Sequence, residues 1–250
     1  MVCEFGEPEL AALRALESVL TRTAWPIVWV VVWVCRWESG SARSTIGDER
    51  KSLEDVADKR SESQMTTTLT PNTNELREIA MLPTESALPR AARFLSDLVK
   101  DAGFVQGEIL PLLKKAKYAR DWYVARQYDG EDGSYSLKTF LWPPGTGTMI
   151  HDHSSWGAYA CALGTVLEER YDRTDDGTVA EHASLRKAWQ LKWSPKDGAS
   201  TVLPGDGGIH RVGNPGEGVA VSVHLYGPRL EEVDGRDYDP SRDYVCDRRG

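Results

Sequence analysis

A mainly β fold, an antiparallel sandwich or barrel preceded by helices, is predicted by three observations. Beyond Arg120 the sequence consists of short runs rich in β-branched and aromatic residues. Gly, Pro, Asp and Asn separate these runs, as expected for turns between strands. No helical run lies between them, which favours antiparallel pairing over a βαβ arrangement. The predicted strands are 121–128, 135–142, 156–164, 165–171, 184–193 and 218–227.

The helices are predicted before the strands. Apolar residues recur at spacings of three and four between residues 88 and 99, a period typical of an amphipathic helix. They are Leu88, Ala92, Leu95, Leu98 and Val99. Gly103 follows as a predicted stop, and a second short helix is expected over 108–117.

Two parts of the chain are predicted to differ in organisation. Residues 37–64 are polar and charged with few large apolar side chains, a composition that favours a linker or disorder. Residues 24–35 form an uncharged run that is too short to cross a bilayer. We interpret the run first as a stray hydrophobic extension, second as a peripheral anchor and third as a signal peptide. We therefore predict an N-terminal extension, 1–64, and a self-sufficient domain, 65–250, and expect a protein that begins at Met65 to fold and remain active.

The net charge and the cysteine content exclude some classes of function and fold. The formal net charge of −8 argues against nucleic acid as a partner, because such binding needs a basic surface. The four cysteines are far apart and show no CxxC spacing, so a disulfide scaffold is not expected and a reducing compartment is favoured. A cytoplasmic protein without a membrane partner is predicted.

Two histidines separated by one residue, His151 and His153, suggest a metal site. On a strand, residues i and i+2 point to the same face, so the two imidazoles would chelate one ion. An HxH pair alone fits surface histidines near a turn equally well. The flanking glycines, Gly145 and Gly164, and a downstream "GGIHRVGN" that contains His210 favour the metal site. His182 is expected in a solvated loop.

These stretches resemble the paired motifs of the cupin superfamily, a small β-barrel or jelly roll that holds a metal. Every landmark of the first motif is in register except the glutamate ligand, whose place Gly157 takes. The second motif is present in "PGDGGIHRVGN" with one extra residue after Pro204. The resemblance therefore implies a ligand set of His151, His153 and His210. Three imidazoles suit Fe(II), Zn(II), Ni(II) or Cu(II).

The missing glutamate together with "SVHLYGP" resembles the thiol dioxygenases, the family of cysteine dioxygenase and 3-mercaptopropionate dioxygenase, over residues 122–227. The resemblance implies Fe(II) as cofactor, and it implies that Ser222, His224 and Tyr226 form a hydrogen-bonded catalytic relay beside it. The alternative for this Ser-x-His-x-Tyr pattern is an amphipathic strand with its polar residues outside.

The sequence departs from that family at Gly157. Vertebrate cysteine dioxygenases have at the position of Gly157 a cysteine that becomes bonded to the tyrosine, which glycine cannot do. Cys161 lies four positions further on, and nothing in the sequence brings it to Tyr226.

Two different arrangements bind the substrate carboxylate in this family. In cysteine dioxygenases the binding residue is an arginine on an early strand, and Arg126 is the predicted counterpart. In mercaptopropionate enzymes a glutamine and a later arginine take its place, with Gln127 and Arg236 as candidates. Because neighbouring strand residues face opposite sides, the register of the strand admits only one of Arg126 and Gln127.

The resemblance implies an iron-dependent enzyme of cysteine metabolism that adds both atoms of O₂ to a small carboxylated thiol, cysteine or 3-mercaptopropionate, to give a sulfinate. One alternative is another three-histidine cupin enzyme, a non-thiol dioxygenase or an isomerase. The other is a metal-dependent cupin that binds a small molecule without turnover.

Overall fold

The computed structural model describes residues 72–116, 118–228 and 235–246. All of these belong to one unit of the chain, Thr68–Gly250. The predicted extension 1–64, including its apolar run, lies outside the described residues. Among the described residues no helix is both long and apolar enough to cross a membrane.

Helices precede the strands, as predicted. The helical segments are α1 Thr73–Ala80, α2 Thr84–Leu98, α3 Ala102–Phe104, a π-helical turn Val105–Ile109 and α4 Leu110–Ala116. Asn72 caps α1, because its side chain accepts a hydrogen bond of 3.3 Å from the Glu75 amide.

The buried face of α2 overlaps the predicted stripe in part, since Leu95 and Val99 are buried as predicted. Ala87, Ala91 and Leu95 are fully buried against β4 and β7, whereas Leu88 is only half-buried. The predicted stop at Gly103 is wrong. Helix α2 ends at Leu98, and Gly103 lies inside α3, which Asp101 begins by accepting a 2.7 Å hydrogen bond from the Phe104 amide.

Eleven strands of the described residues form two antiparallel sheets. They are β1 Tyr123–Asp129, β2 Ser136–Trp142, β3 Ile150–His151, β4 Gly157–Leu163, β5 Val166–Arg173, β6 Leu185–Trp193, β7 Ala199–Val202, β8 His210–Gly213, β9 Ala220–Tyr226, β10 Asp237–Asp239 and β11 Tyr244–Cys246. One sheet has the order β1-β2-β9-β4-β7 and the other β11-β10-β3-β8-β5-β6. The prediction of a mainly β cupin fold with N-terminal helices is confirmed.

The core between the two sheets is rich in aromatic side chains. Phe140 and Trp142 of β2 and Tyr159 of β4 pack with Val166 and Val212 of the opposite sheet. Their burial removes large apolar surfaces from water, which stabilises the fold by about 25 cal/mol per Å². The same cluster forms the floor beneath the histidines described next.

Candidate metal centre

Three histidines converge between the sheets. The candidate ligand atoms of His151, His153 and His210 all lie within 4.8 Å of one another. His151 and His210 are directly paired on β3 and β8. The predicted strand through both residues of the HxH pair is wrong in extent, since β3 ends at His151. His153 reaches the cluster from the following loop, whose position is fixed by a 2.8 Å hydrogen bond from the Gly205 amide to the His153 carbonyl.

The spacing of the nitrogens fits a metal ion. His153 Nε2 and His210 Nε2 are 3.1 Å apart. Two nitrogens each about 2.1 Å from a metal, at right angles to each other, are about 3 Å apart. Nδ1 of His151 lies 3.0 Å from the Met149 carbonyl, which makes Nε2 its candidate ligand atom. Burial, with the two other histidines adding to it, lowers the pKa of His210 well below its usual range and so favours the neutral imidazole that a metal needs.

Glu168 on β5 supports His210 from behind, and sequence reasoning missed it. The carboxylate is fully buried and lies 3.4 Å from His210 Nδ1, on the side away from the other two histidines. Ser200 and Trp193 donate hydrogen bonds of 2.7 and 3.1 Å to it, and Arg170 forms an ion pair with it. A carboxylate at this position fixes the tautomer and ring orientation of a histidine ligand.

Replacing Glu168 with glutamine is therefore expected to weaken metal binding by about 10- to 100-fold, the usual effect of losing such a carboxylate. Competition between the protein and a chelator of known affinity measures the change. Glu169→Gln is the matched control, because Glu169 pairs with Lys187 on the other face of the strand. Equal metal affinity in the two variants would contradict the role of Glu168.

A second buried carboxylate, Asp152, holds the loop between the two histidines. Arg236 donates to it through Nε at 2.8 Å and through its backbone amide at 2.6 Å, and Tyr238 donates through its hydroxyl at 2.8 Å. Arg236 also forms an ion pair with Asp206. Arg236 thus joins the residue before β10 to the loop that contains Asp152 and His153. It lines a surface hollow beside these two residues, not the cavity that contains all three histidines.

The relay residues on β9 are hydrogen-bonded in series. Ser222 Oγ lies 2.8 Å from His224 Nε2, and His224 Nδ1 lies 3.1 Å from the Tyr226 hydroxyl. The His224 ring stacks on Tyr159 with centroids 4.8 Å apart, which fixes its plane. Tyr226 in turn packs against His153, with ring centroids 5.0 Å apart. The strand therefore leads from the buried core to the candidate metal ligands.

A hydrogen bond from Trp142 determines which atoms of this relay donate and which accept. The Trp142 indole N–H, which can only donate, points to Ser222 Oγ at 2.8 Å. The hydroxyl of fully buried Ser222 then has His224 Nε2 as the acceptor for its own hydrogen. Burial lowers the pKa of His224 well below its usual range, so a neutral ring that accepts at Nε2 donates from Nδ1 to the Tyr226 oxygen. The Tyr226 hydrogen is then directed away from His224.

Gly157 lies opposite Tyr226. The two residues are paired on β4 and β9, and a Cβ on Gly157 would come within 3.1 Å of the Tyr226 ring. Cys161 is paired with Ser222 instead, four residues along the strand, and burial raises its pKa to about 12. We therefore expect the intact mass to show no loss of two hydrogens from a Cys–Tyr bond. Such a loss, traced by peptide mapping to Tyr226, would contradict this arrangement.

The prediction that Arg126 faces the histidines is wrong. A β-bulge between Val124 and Arg126 shifts the pairing of β1 with β2 by one residue. Arg126 is therefore paired with Thr139 and forms a 3.5 Å ion pair with Glu108 on the helical side of the sheet. Gln127 is paired with Lys138, whose side chain lies on the cavity side of the sheet. The Gln127 amide donates a 2.7 Å hydrogen bond to Asp129.

The histidines and Tyr226 line one cavity of about 240 Å³. Its walls are largely aromatic, with Trp122, Phe140 and Trp142 on one side. Of the sequence-predicted site residues, the structure brings together the three histidines, His224 and Tyr226 around it, with Ser222 directly behind. It does not bring Arg126 or Arg236 into the described lining.

The chain is similar to one protein family and to several solved structures. The family model described as cysteine dioxygenase type I matches residues 111–240. Among solved structures, TT1209 from Thermus thermophilus is 19% identical with a TM-score of 0.30, over 42% of this chain and 83% of that one. The cupin domain of Schizosaccharomyces pombe Cnp3 is 13% identical with a TM-score of 0.31, over 41% of this chain and 59% of that one. A cupin 2 conserved barrel domain protein from Salinispora arenicola CNS-205 is 12% identical with a TM-score of 0.30, over 42% and 73% of the two chains.

Proposed function

Because this chain belongs to the cysteine dioxygenase type I family, we propose that it is an iron-dependent thiol dioxygenase. Its substrate is a small carboxylated thiol, cysteine or 3-mercaptopropionate, and its product is the corresponding sulfinate. The observation that carries the proposal is that three histidine nitrogens and the hydroxyl end of the Ser222–His224–Tyr226 relay meet at a single cavity.

The donor set suits the proposed cofactor. His151, His153 and His210 would hold Fe(II), which supplies the redox chemistry that dioxygen needs to react with a thiol. Three neutral imidazoles leave the full charge of the ion to attract an anionic thiolate. No carboxylate of the described residues belongs to the histidine cluster, which agrees with Gly157 at the position of the usual glutamate.

The reaction requires no partner besides dioxygen. The thiol loses its proton, the O–O bond breaks, and two S–O bonds form. Sulfur supplies all the electrons that dioxygen takes up, so an external reductant is not needed. The protein's part is to exclude water with its aromatic walls and to place a hydrogen-bond donor, the Tyr226 hydroxyl, beside the reacting groups.

The test is anaerobic reconstitution with Fe(II), followed by oxygen consumption and sulfinate measurement with cysteine, 3-mercaptopropionate and cysteamine. We expect oxygen uptake to match sulfinate formation for a carboxylated thiol. Turnover of a non-thiol acid without sulfinate would favour another three-histidine cupin enzyme. Metal-dependent binding of the thiol without oxygen uptake would favour a binding protein.

We also propose a cytoplasmic location, which the cysteines support. Cys161 and Cys246, the cysteines within the described residues, are free thiols. Free thiols agree with a reducing compartment, and we place the enzyme in the cytoplasm.

A further inference from the structure

A lysine, Lys138, lines the cavity beside the histidines and the relay. Lys138 lies on β2, where residues 138, 140 and 142 line the cavity and residues 137, 139 and 141 are buried on the opposite side of the sheet. It is paired with His224 on β9 and with Gln127 on β1. Its partly buried side chain therefore lies on the cavity face of the sheet, between β9, which carries the relay, and the edge strand β1.

The charged end of Lys138 lies close to the reacting residues. Its Nζ is 5.5 Å from the centre of the Tyr226 ring, and Tyr226 packs on the metal ligand His153. Within the described parts of the chain, no carboxylate forms an ion pair with Lys138. A partly buried ammonium without an anionic partner attracts an anion from solution more strongly than an exposed one does.

The other candidate cations are already paired. Arg126 binds Glu108 on the opposite face of the sheet, and Arg236 binds both Asp152 and Asp206 outside the cavity. Lys138 is the one lysine or arginine among the described residues that line the cavity. The lining that these residues form also contains no carboxylate.

The geometry points to Lys138 as the residue that binds the carboxylate of the substrate and thereby selects acidic thiols that lack an amine. This inference rests on the proposed function. A thiol acid such as 3-mercaptopropionate carries a carboxylate to meet Lys138 and no other charge apart from the thiolate. The ammonium of cysteine would meet the positive charge of Lys138 without a carboxylate in the described lining to compensate it.

The experiment compares the wild type with Lys138→Met, which keeps the length of the side chain and removes its charge, and with Lys138→Arg. Steady-state kinetics with 3-mercaptopropionate, cysteine and cysteamine give the specificity. Anaerobic titration of the Fe(II) protein with each thiol, followed by tryptophan fluorescence, gives binding without turnover, because Trp122 and Trp142 line the cavity. Lys192→Met, on the exposed face of β6, is the matched control.

For Lys138→Met we expect Kd and KM for 3-mercaptopropionate to rise by about 10- to 100-fold, the effect of losing one charged hydrogen bond. Cysteamine, a cationic thiol without a carboxylate, should bind equally well or better, because a repulsive charge is removed. Lys138→Arg should restore part of the affinity for 3-mercaptopropionate. Iron content and the properties of Lys192→Met should match the wild type.

An equal loss with all three thiols, or an unchanged preference among them, would overturn the inference. If Lys138→Met does not fold, Lys138→Gln removes the charge with a polar side chain and decides in its place. The proposed function fails separately, when the wild type forms no sulfinate from any thiol. In that event the fluorescence titration still tests Lys138 through the relative affinities for 3-mercaptopropionate and cysteamine.

Discussion

Replacing His210 with alanine is expected to abolish stable metal binding and, with it, activity. The variant retains only two imidazoles, and the loss should exceed the roughly 100-fold that removal of an outer carboxylate can cause. His210 is almost fully buried and its Nε2 is 3.1 Å from that of His153, so the substitution removes one of three converging nitrogens. Iron content after reconstitution and gel filtration measures the effect.

The chain offers a histidine outside the site as the control. His182 lies 3.8 Å from Asp175 in the loop before β6, with 42% of its side chain exposed, which agrees with the solvated loop expected from the sequence. His182→Ala should bind iron as the wild type does. Full iron occupancy in His210→Ala would remove His210 from the ligand set.

The histidine cluster could be predicted from sequence because its signal is local. The HxH pair and the glycines around it lie within a short stretch, and the same holds for the motif of His210. The six longer strands were predicted for a similar reason, since each carries its own β-branched or aromatic run between turn residues. Strands β7, β8, β10 and β11 have three or four residues each, too few to show a period.

The face of the sheet on which Arg126 lies could not be predicted because it depends on how two strands pair. The β-bulge between Val124 and Arg126 is defined only against β2, and a shift of one residue exchanges the faces of Arg126 and Gln127. "YVARQY" has no clear alternation of apolar and polar residues that would fix its register alone.

Glu168 escaped prediction because its partners are distant in the sequence. Trp193, Ser200 and His210 reach it from three other strands, 25, 32 and 42 residues further along the chain. A charged residue on a strand is usually a solvated one, and only the assembled sheet reveals that this carboxylate is compensated. The available signal was its position two residues from buried Val166, on the inward face of β5.

Replacing Tyr226 with phenylalanine is expected to leave iron binding intact and to remove most of the turnover. The substitution keeps the ring that packs against His153 and deletes only the hydroxyl, which lies 3.1 Å from His224 Nδ1. A positioned hydrogen-bond donor or acid of this kind typically contributes about 10²- to 10⁴-fold to the rate. Because the relay directs the phenol hydrogen away from His224, the loss should fall mainly on kcat, and KM should change little.

Iron content, kcat and KM measured on the same preparation separate this role from a structural one. Tyr118→Phe, at a tyrosine that is 76% exposed, is the control and should match the wild type. Loss of iron in Tyr226→Phe would indicate that the hydroxyl supports the ligands and not the reaction. Unchanged kinetics with full iron would exclude the relay from catalysis, and the Ser222–His224–Tyr226 series would then serve only to anchor β9 beneath the histidines.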